Sequence, residues 1–116
     1  MNIYHCMIEL RQDARALAFA AAAESWLSRL QTRGIIRNWR LLRRKFGLSS
    51  SSHCDFILEI EVEGLTQLDE AFAALSLSED DDERRYDQFH HMIGRAEIGL
   101  YRPFPDAASR ERIALI

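Results

Sequence analysis

The stretch that decides the fold runs from Ile35 to Val62 and reads IIRNWRLLRRKFGLSSSSHCDFILEIEV. From Phe56 onward, apolar residues alternate with mostly acidic ones, and side chains on a strand point to opposite faces with a period of two. The first half begins with β-branched and aromatic residues and is separated from the second by Gly47 and four serines. The stretch therefore predicts two antiparallel strands joined by a serine-rich loop.

Charge pairing across the two strands indicates their register. A pairing that sets Trp39 and Leu41 beside the apolar residues of the second strand also brings Arg40 close to Glu61. Opposite charges on paired strands stabilise a sheet by roughly 0.2–1 kcal/mol. We therefore expect this hairpin to have one apolar face and one charged face.

The sequence before the hairpin predicts one strand and one long helix. In the strand, Asn2–Leu10, one face carries Tyr4, Cys6, Ile8 and Leu10. The other face carries Ile3, His5, Met7 and Glu9. A helix is predicted from Asp13, a candidate N-cap, to Arg33, with Gly34 ending it. Its expected apolar stripe consists of Leu17, Ala20, Ala23, Leu27 and Leu30.

The sequence after the hairpin predicts two helices and a last strand. The first helix begins near Thr66, and its expected stripe is Leu68, Phe72 and Leu75. The second begins at Ser78, and its expected stripe is Tyr86, Phe89, Ile93 and Ala96. The strand is Glu97–Arg102, with Ile98 and Leu100 facing inward. The order β-α-β-β-α-(α)-β predicts an α+β, ferredoxin-like domain over residues 1–106, followed by a tail over residues 107–116. Its four-stranded antiparallel sheet would have helices on one face.

Composition excludes several classes of protein. The chain has 116 residues, a 47% apolar content and a net charge of −3, which suits one globular domain and gives no case for nucleic-acid binding. No apolar run is long enough to span a bilayer, and no signal peptide is recognisable, so we expect a cytoplasmic protein with no membrane partner.

Short stretches in a characteristic order resemble the ferredoxin-like dimeric α+β barrel superfamily, and most closely a family of small uncharacterised bacterial proteins of that fold. They are Tyr4-His5, Trp39-Arg40-Leu41, Arg43-Arg44-Lys45, Gln67-Leu68-Asp69, Ala71-Phe72, His90-His91, Leu100-Tyr101-Arg102 and Phe104-Pro105-Asp106. The resemblance implies a homodimer in which two sheets enclose a cavity. It implies no particular chemistry.

Polar side chains on the sheet face that the helices leave uncovered are the candidate site. The predicted ligand-binding residues are His5, Arg40, Glu59, Glu61 and Tyr101, with His90 at the mouth of the cavity. A histidine beside carboxylates suits acid–base chemistry, and an arginine suits an anionic group. The simpler interpretation, which we favour, is that these charges pair with one another across a wet dimer interface.

No metal site or cofactor is predicted. His5-Cys6 and His53-Cys54 cannot converge, because neighbours on a strand point to opposite faces and Cys54 is expected near Leu10 rather than Cys6. His90 and His91 diverge by about 100° on a helix. Three interpretations remain open: a homodimer that binds a small molecule, a cofactor-independent monooxygenase- or isomerase-like enzyme, and a structural or regulatory protein without a ligand.

Overall fold

The computed structural model describes residues 2–45, 54–64, 66–67, 69–70, 73 and 80–104. The described part is a four-stranded antiparallel sheet with two helices on one side. In chain order, its elements are β1 Asn2–Leu10, α1 Ala16–Thr32, β2 Asn38–Arg43, β3 Phe56–Val62, α2 Asp80–His91 and β4 Ile93–Tyr101. The ferredoxin-like arrangement predicted from the sequence is confirmed.

The first strand is the centre of the sheet, whose order is β2-β3-β1-β4. β1 pairs antiparallel with β3, with Cys6 opposite Leu58, and with β4, with Cys6 opposite Ile98. β1 and β3 have the predicted bounds and the predicted faces, because their period-two patterns are long and unbroken. Phe56, Leu58, Ile60 and Val62 are buried under the helices.

The buried face of α1 differs from the predicted stripe. The residues that α1 buries are Phe19, Ala22, Ala23, Trp26, Leu27 and Leu30. Leu17 is 80% exposed and lies outside the core. The small side chains of Ala22 and Ala23 let the helix lie close to the sheet, while Phe19 and Trp26 fill the space on either side.

The C-terminal end of α1 follows the capping rule used for the prediction, and its N-terminal end does not. The helix begins at Ala16, so Asp13 is not its N-cap; Arg15 occupies that position without a side-chain cap, and Asp13 forms an ion pair with Arg11 at 3.6 Å. At the other end, Gly34 has φ +76°, a left-handed conformation that glycine adopts without strain, and it ends the helix as predicted.

The junction of α2 and β4 lies earlier than predicted. The helix ends at His91, and Ile93 and Ala96 belong to the strand instead of to the helix. Eight residues of β1 pair with β4, so backbone pairing prevails over the helical spacing of Ile93 and Ala96. Gly94 fits the close approach, since a Cβ there would lie 3.3 Å from the backbone nitrogen of Arg11.

The helices cover the sheet unevenly. Ile98 and Leu100 point to the helix side as predicted, yet they are 59% and 47% exposed because α2 packs mainly against α1. Residues 66–67, 69–70 and 73 have helical backbone, in agreement with the predicted helix. Its stripe of Leu68, Phe72 and Leu75, the start at Ser78 and the C-terminal tail lie outside the described residues. Neither α1 nor α2 has the length and apolar character that crossing a membrane requires.

Candidate functional site

One face of the sheet carries no helix in the described part of the chain, and we call it the open face. Its residues are Asn38, Arg40 and Leu42 of β2; Ile57, Glu59 and Glu61 of β3; Ile3, His5, Met7 and Glu9 of β1; and Arg95, Glu97, Gly99 and Tyr101 of β4. Leu42, Ile57 and Met7 stand side by side in the ladder and form an apolar row across three strands. The open face is therefore amphipathic.

The charges of the open face are paired within the chain. Arg40 Nε donates to Glu59 Oε1 at 2.9 Å, and Arg37 lies 3.9 Å from Glu61. The predicted register is wrong by two residues, because Arg40 stands opposite Glu59 and not Glu61. The parity, and therefore the separation of an apolar face from a charged one, is unaffected. Arg40 is thus engaged with a carboxylate of its own chain.

Three of the predicted site residues line a shallow depression on the open face, and two more continue the group across the sheet. The depression has a volume of about 220 Å³, and Arg40, Glu59 and Glu61 contribute to its wall. His5 stands opposite Glu59 in the ladder, and its ring meets the ring of Tyr101 edge to face, with the centroids 5.5 Å apart. The five open-face residues are therefore neighbours, as their parity predicts.

His90 does not belong to this group. It lies on α2, stacks on Tyr86 with ring centroids 5.3 Å apart, and lines a pocket on the opposite side of the sheet. The prediction that His90 stands at the mouth of the open-face site is wrong. Strand parity places a residue on one side of a sheet, but it cannot tell which side a helical residue occupies.

The helix side contains a deeper pocket of about 250 Å³, which we call the helix-side pocket. It lies between the two helices and the strands of the sheet. Its wall is formed by Tyr4, Cys6, Trp26, Leu30, Ile36, Leu58, Ile60, Tyr86, Phe89, His90, Ile93, Ala96 and Ile98. Apolar lining with a few polar groups is the usual character of a small-molecule site. A wider depression of about 650 Å³ runs along the exposed side of α2, and the described residues that line it all belong to that helix.

Three acidic groups of the helix-side pocket are held in their neutral forms. Burial raises the pKa of Tyr4 to about 12 and that of Cys6 to about 11, and it raises the pKa of Tyr86 as well. In each case the main cause is that the anion loses its hydration. The medium inside the pocket therefore disfavours negative charge.

Trp26 adds an unusual feature to the wall. The residue is 6% exposed, and among the buried side chains of the described residues its Nε1 is the atom without a hydrogen-bond partner. A buried donor without an acceptor costs about 1–3 kcal/mol. Such atoms are rare in folded proteins.

The cysteines are arranged as expected from strand geometry. Both are free thiols: Cys6 is buried in the core, and Cys54 donates to the carbonyl oxygen of Phe56 at 2.9 Å. Cys54 lies at the end of β1 near Leu10, whose backbone nitrogen is held by the neighbouring Asp55 at 3.0 Å. His53 lies outside the described residues. In the part of the chain that is described, no three His, Cys, Asp or Glu side chains form a metal-binding group.

Sequence reasoning placed several lining residues, among them Leu58 and Ile60, on the buried face of the sheet but did not identify a pocket. The sequence signal that could have indicated the pocket is the presence of polar side chains on otherwise apolar faces. Tyr4 and Cys6 share the buried side of β1 with Ile8, and Tyr86 and His90 lie on the same helix one turn apart. Whether such groups enclose a space depends on how the helices lie on the sheet, which periodicity does not specify.

Comparisons with known proteins agree with the fold and give no activity. The model of a family of unknown function, DUF6614, matches residues 1–116. No curated protein matches the chain. The structure is similar to that of an Arabidopsis thaliana protein, with a TM-score of 0.71 and 7% identity, over 92% of this chain and 99% of that one.

Two bacterial structures are similar as well. A DABB family protein with a ferredoxin-like fold from Mesorhizobium loti has a TM-score of 0.63 and 14% identity, over 89% of this chain and 96% of that one. A dimeric ferredoxin-like protein of unknown function from Jannaschia has a TM-score of 0.62 and 11% identity, over 89% and 100%. At these identities the likeness concerns the fold alone.

Proposed function

The chain belongs to the family of unknown function DUF6614, and we propose that it is a homodimer whose protomers each bind a small, largely apolar molecule in the helix-side pocket. The observation that carries the proposal is the pocket itself, in which aromatic and aliphatic side chains surround about 250 Å³ between the helices and the sheet. That volume lies just below the range of about 300–1,000 Å³ typical of drug-sized ligands, so the ligand is compact.

The pocket groups favour binding over catalysis. A nucleophilic cysteine reacts as its thiolate, and the raised pKa of Cys6 keeps this thiol protonated at neutral pH. Tyr4 and Tyr86 are likewise kept as neutral phenols, so they are poor bases. The enzyme-like interpretation would need a titratable group, for which His5 on the open face and His90 in the pocket wall are the candidates, and it stays a prediction together with the cytoplasmic location.

The open face supports the dimer half of the proposal. Its apolar row of Leu42, Ile57 and Met7 resembles the core of an interface, and Leu42 is 41% exposed in the single chain. The ion pair between Arg40 and Glu59 lets a second copy cover the face without leaving a charge unpaired, which would be costly. The structural neighbour from Jannaschia is described as dimeric. A two-fold axis would bring the same row of each protomer together.

The dimer is tested by light scattering on Ile57→Lys. Lysine at this position would bury a charge at the centre of the apolar row, so we expect the mass to fall from that of a dimer to that of a monomer at micromolar concentration. Leu17→Lys is the matched control, since Leu17 is an exposed apolar residue on α1 away from the open face. A monomeric wild-type protein at high concentration, or an unchanged mass for Ile57→Lys, would contradict the dimer.

Ligand binding is tested by blocking the pocket. Ala96 lines the pocket from the exposed β4 strand, so Ala96→Trp is expected to fill it with little strain on the core. Leu100→Trp is the control, because Leu100 is on the same strand and the same side but outside the pocket wall. Nuclear magnetic resonance (NMR) titration with α-methylstyrene should move pocket resonances in wild type and in Leu100→Trp, and not in Ala96→Trp. Equal binding by all three proteins would place the ligand elsewhere.

A further inference from the structure

The wall of the helix-side pocket is graded from a buried floor to an exposed mouth. On the floor, Leu30 and Leu58 are 3% and 2% exposed. Ala96 and Ile98 of β4 and His90 of α2 belong to the same wall and are exposed to solvent. The described wall is thus open to solvent between α2 and β4, and we call this opening the pocket mouth.

His90 lies at the pocket mouth, on the boundary between the pocket and solvent. Its side chain lines the helix-side pocket and also the wide depression on the outer side of α2. The ring of Tyr86 stacks on the imidazole with an interplanar angle of 22°, which restricts how far the imidazole can turn. The adjacent His91 lines the outer depression but not the described pocket wall. Of the two neighbouring histidines, His90 is therefore the one that a ligand in the pocket can reach.

The pocket mouth can carry positive charge and carries no carboxylate among its described residues. Histidine is the side chain whose charge ordinarily changes between pH 5 and 8, and the described wall contains no Asp, Glu, Lys or Arg beside His90. The charged side chains near the imidazole are those of Glu83, Arg84 and Asp87, which line the outer depression. An anionic group on the pocket side of His90 would therefore meet a cation without an adjacent carboxylate of the described wall.

The floor of the pocket has the opposite preference. Burial raises the pKa of Cys6 to about 11 because the thiolate loses its hydration, and a ligand anion at the same depth would lose its hydration too. Tyr4 and Tyr86 are half-buried, and their raised pKa values keep both phenols neutral, so neither would repel an anion at the mouth. The pocket therefore suits an apolar body on its floor and a charged head at its mouth, where the head keeps part of its hydration.

We infer that the helix-side pocket takes a compact monocarboxylate, whose apolar body fills the buried floor while its carboxylate lies at the mouth beside the protonated imidazole of His90. This inference rests on the proposed function and names the ligand class for the same pocket. An imidazolium N–H suits a carboxylate, because a hydrogen bond between charged groups is stronger than one between neutral groups. His90 is then the residue that determines specificity for an acid over a neutral molecule of the same shape.

Benzoate and nitrobenzene are probes that separate charge from shape. The two molecules have the same number of non-hydrogen atoms and the same planar outline, and benzoate alone is charged. An apolar pocket without a cation would prefer nitrobenzene, because transferring a carboxylate from water is costly. With the cation at the mouth, we expect benzoate to bind at least as tightly as nitrobenzene at pH 5.5 and low ionic strength.

The contribution of His90 is measured as the ratio of the affinity for benzoate to the affinity for nitrobenzene. Titrations in nitrogen–proton NMR spectra give both affinities and identify the residues that each probe contacts. At pH 5.5, His90→Gln should lower the ratio about fivefold, the factor that an ion pair at an exposed site reaches. His91→Gln is the matched control and should leave the ratio unchanged, because His91 is exposed and lies outside the described pocket wall.

The pH dependence of the same ratio tests the charge of His90. Raising the pH from 5.5 to 8 should lower the ratio of the wild-type protein by about the same factor, because histidine loses its charge while benzoate stays ionised. His90→Lys keeps a positive charge at both pH values, so its ratio should stay high throughout. Circular dichroism and thermal unfolding establish that the variants are folded.

The outcomes distinguish this inference from the proposed function. Weaker binding of benzoate than of nitrobenzene to the wild-type protein at pH 5.5, or equal ratios in His90→Gln and His91→Gln, would overturn the inference while leaving the pocket as a site for neutral ligands. Benzoate that moves resonances around Arg40 on the open face, and none in the pocket, would overturn it as well. If neither probe moves a pocket resonance, both the inference and the proposed function are wrong.

Discussion

The position of α1 on the sheet gives the sharpest stability prediction, because Leu17 of the predicted stripe is exposed while Phe19, outside that stripe, is buried. Phe19 is fully buried, and its ring centroid lies 5.0 Å from that of Phe56 and 5.3 Å from that of Phe89. Phe19→Ala removes a whole ring from a close-packed core and is expected to cost about 3–5 kcal/mol. Leu17 is 80% exposed, so Leu17→Ala should change the free energy of unfolding by no more than about 0.5 kcal/mol.

An intermediate substitution separates ring contacts from volume. Phe19→Leu keeps most of the apolar bulk and loses two aromatic pairs, each worth about 0.5–1.5 kcal/mol, so a loss of roughly 1–3 kcal/mol is expected. Urea unfolding followed by circular dichroism, at one fixed protein concentration, measures the three variants. With a slope of about 1–3 kcal/mol per molar urea, Phe19→Ala should lower the midpoint by at least about 1 M. A greater loss for Leu17→Ala than for Phe19→Ala would mean that the helix presents its other face to the sheet.

Two further expectations concern how stability depends on pH and how closely Gly94 approaches the backbone at Arg11. The pKa of Cys6 is raised from 9.0 to about 11, so the folded state binds more protons than the unfolded state between these values, and the free energy of unfolding should fall by no more than about 2 kcal/mol from pH 9 to pH 11. In urea unfolding measured as a function of pH, Cys6→Ala should make this fall smaller and leave the part that Tyr4 contributes between pH 10 and 12. An equally steep fall in the variant would contradict the assignment of the pH response to Cys6. Gly94→Ala should lower the free energy of unfolding by about 1–2 kcal/mol, because its Cβ would press on the backbone at Arg11. Gly64 has open space around it, so Gly64→Ala should change the free energy of unfolding little. Equal effects of the two substitutions would refute the close approach at Gly94.

The sequence predicts the strands well and the helical packing less well, for a physical reason. A strand such as Phe56–Val62 has two faces, and a regular alternation assigns both without ambiguity. In the alanine-rich α1, small apolar residues occupy much of the circumference, so several stripes are compatible with the spacing. The large rings of Phe19 and Trp26 decide which stripe is buried, because they gain the most from leaving water.

The difference between strands and helices also explains where the candidate site residues lie. Parity brought His5, Arg40 and Glu59 together on the open face, since positions on paired strands follow from register alone. Parity does not predict that Glu59 is the partner of Arg40, because a register shift of two residues keeps the parity and changes the partner. The helix-side pocket, with Trp26 in its wall, depends on the distance between helix and sheet and was beyond the reach of pattern analysis.

The central place of β1 has a consequence for how the chain acquires its structure during synthesis. Although β1 leaves the ribosome before the other three strands of this sheet, its neighbours are β3 and β4, and Ile3 pairs with residues as distant as Glu61 and Tyr101. At about 5–20 residues per second, the completed β1 waits roughly 3–10 s for β3 to be made. Pairings this distant along the chain close slowly, and an apolar strand without neighbours is prone to association during that time. A nascent chain of this kind would depend on chaperones that shield β1 until translation reaches the last strand.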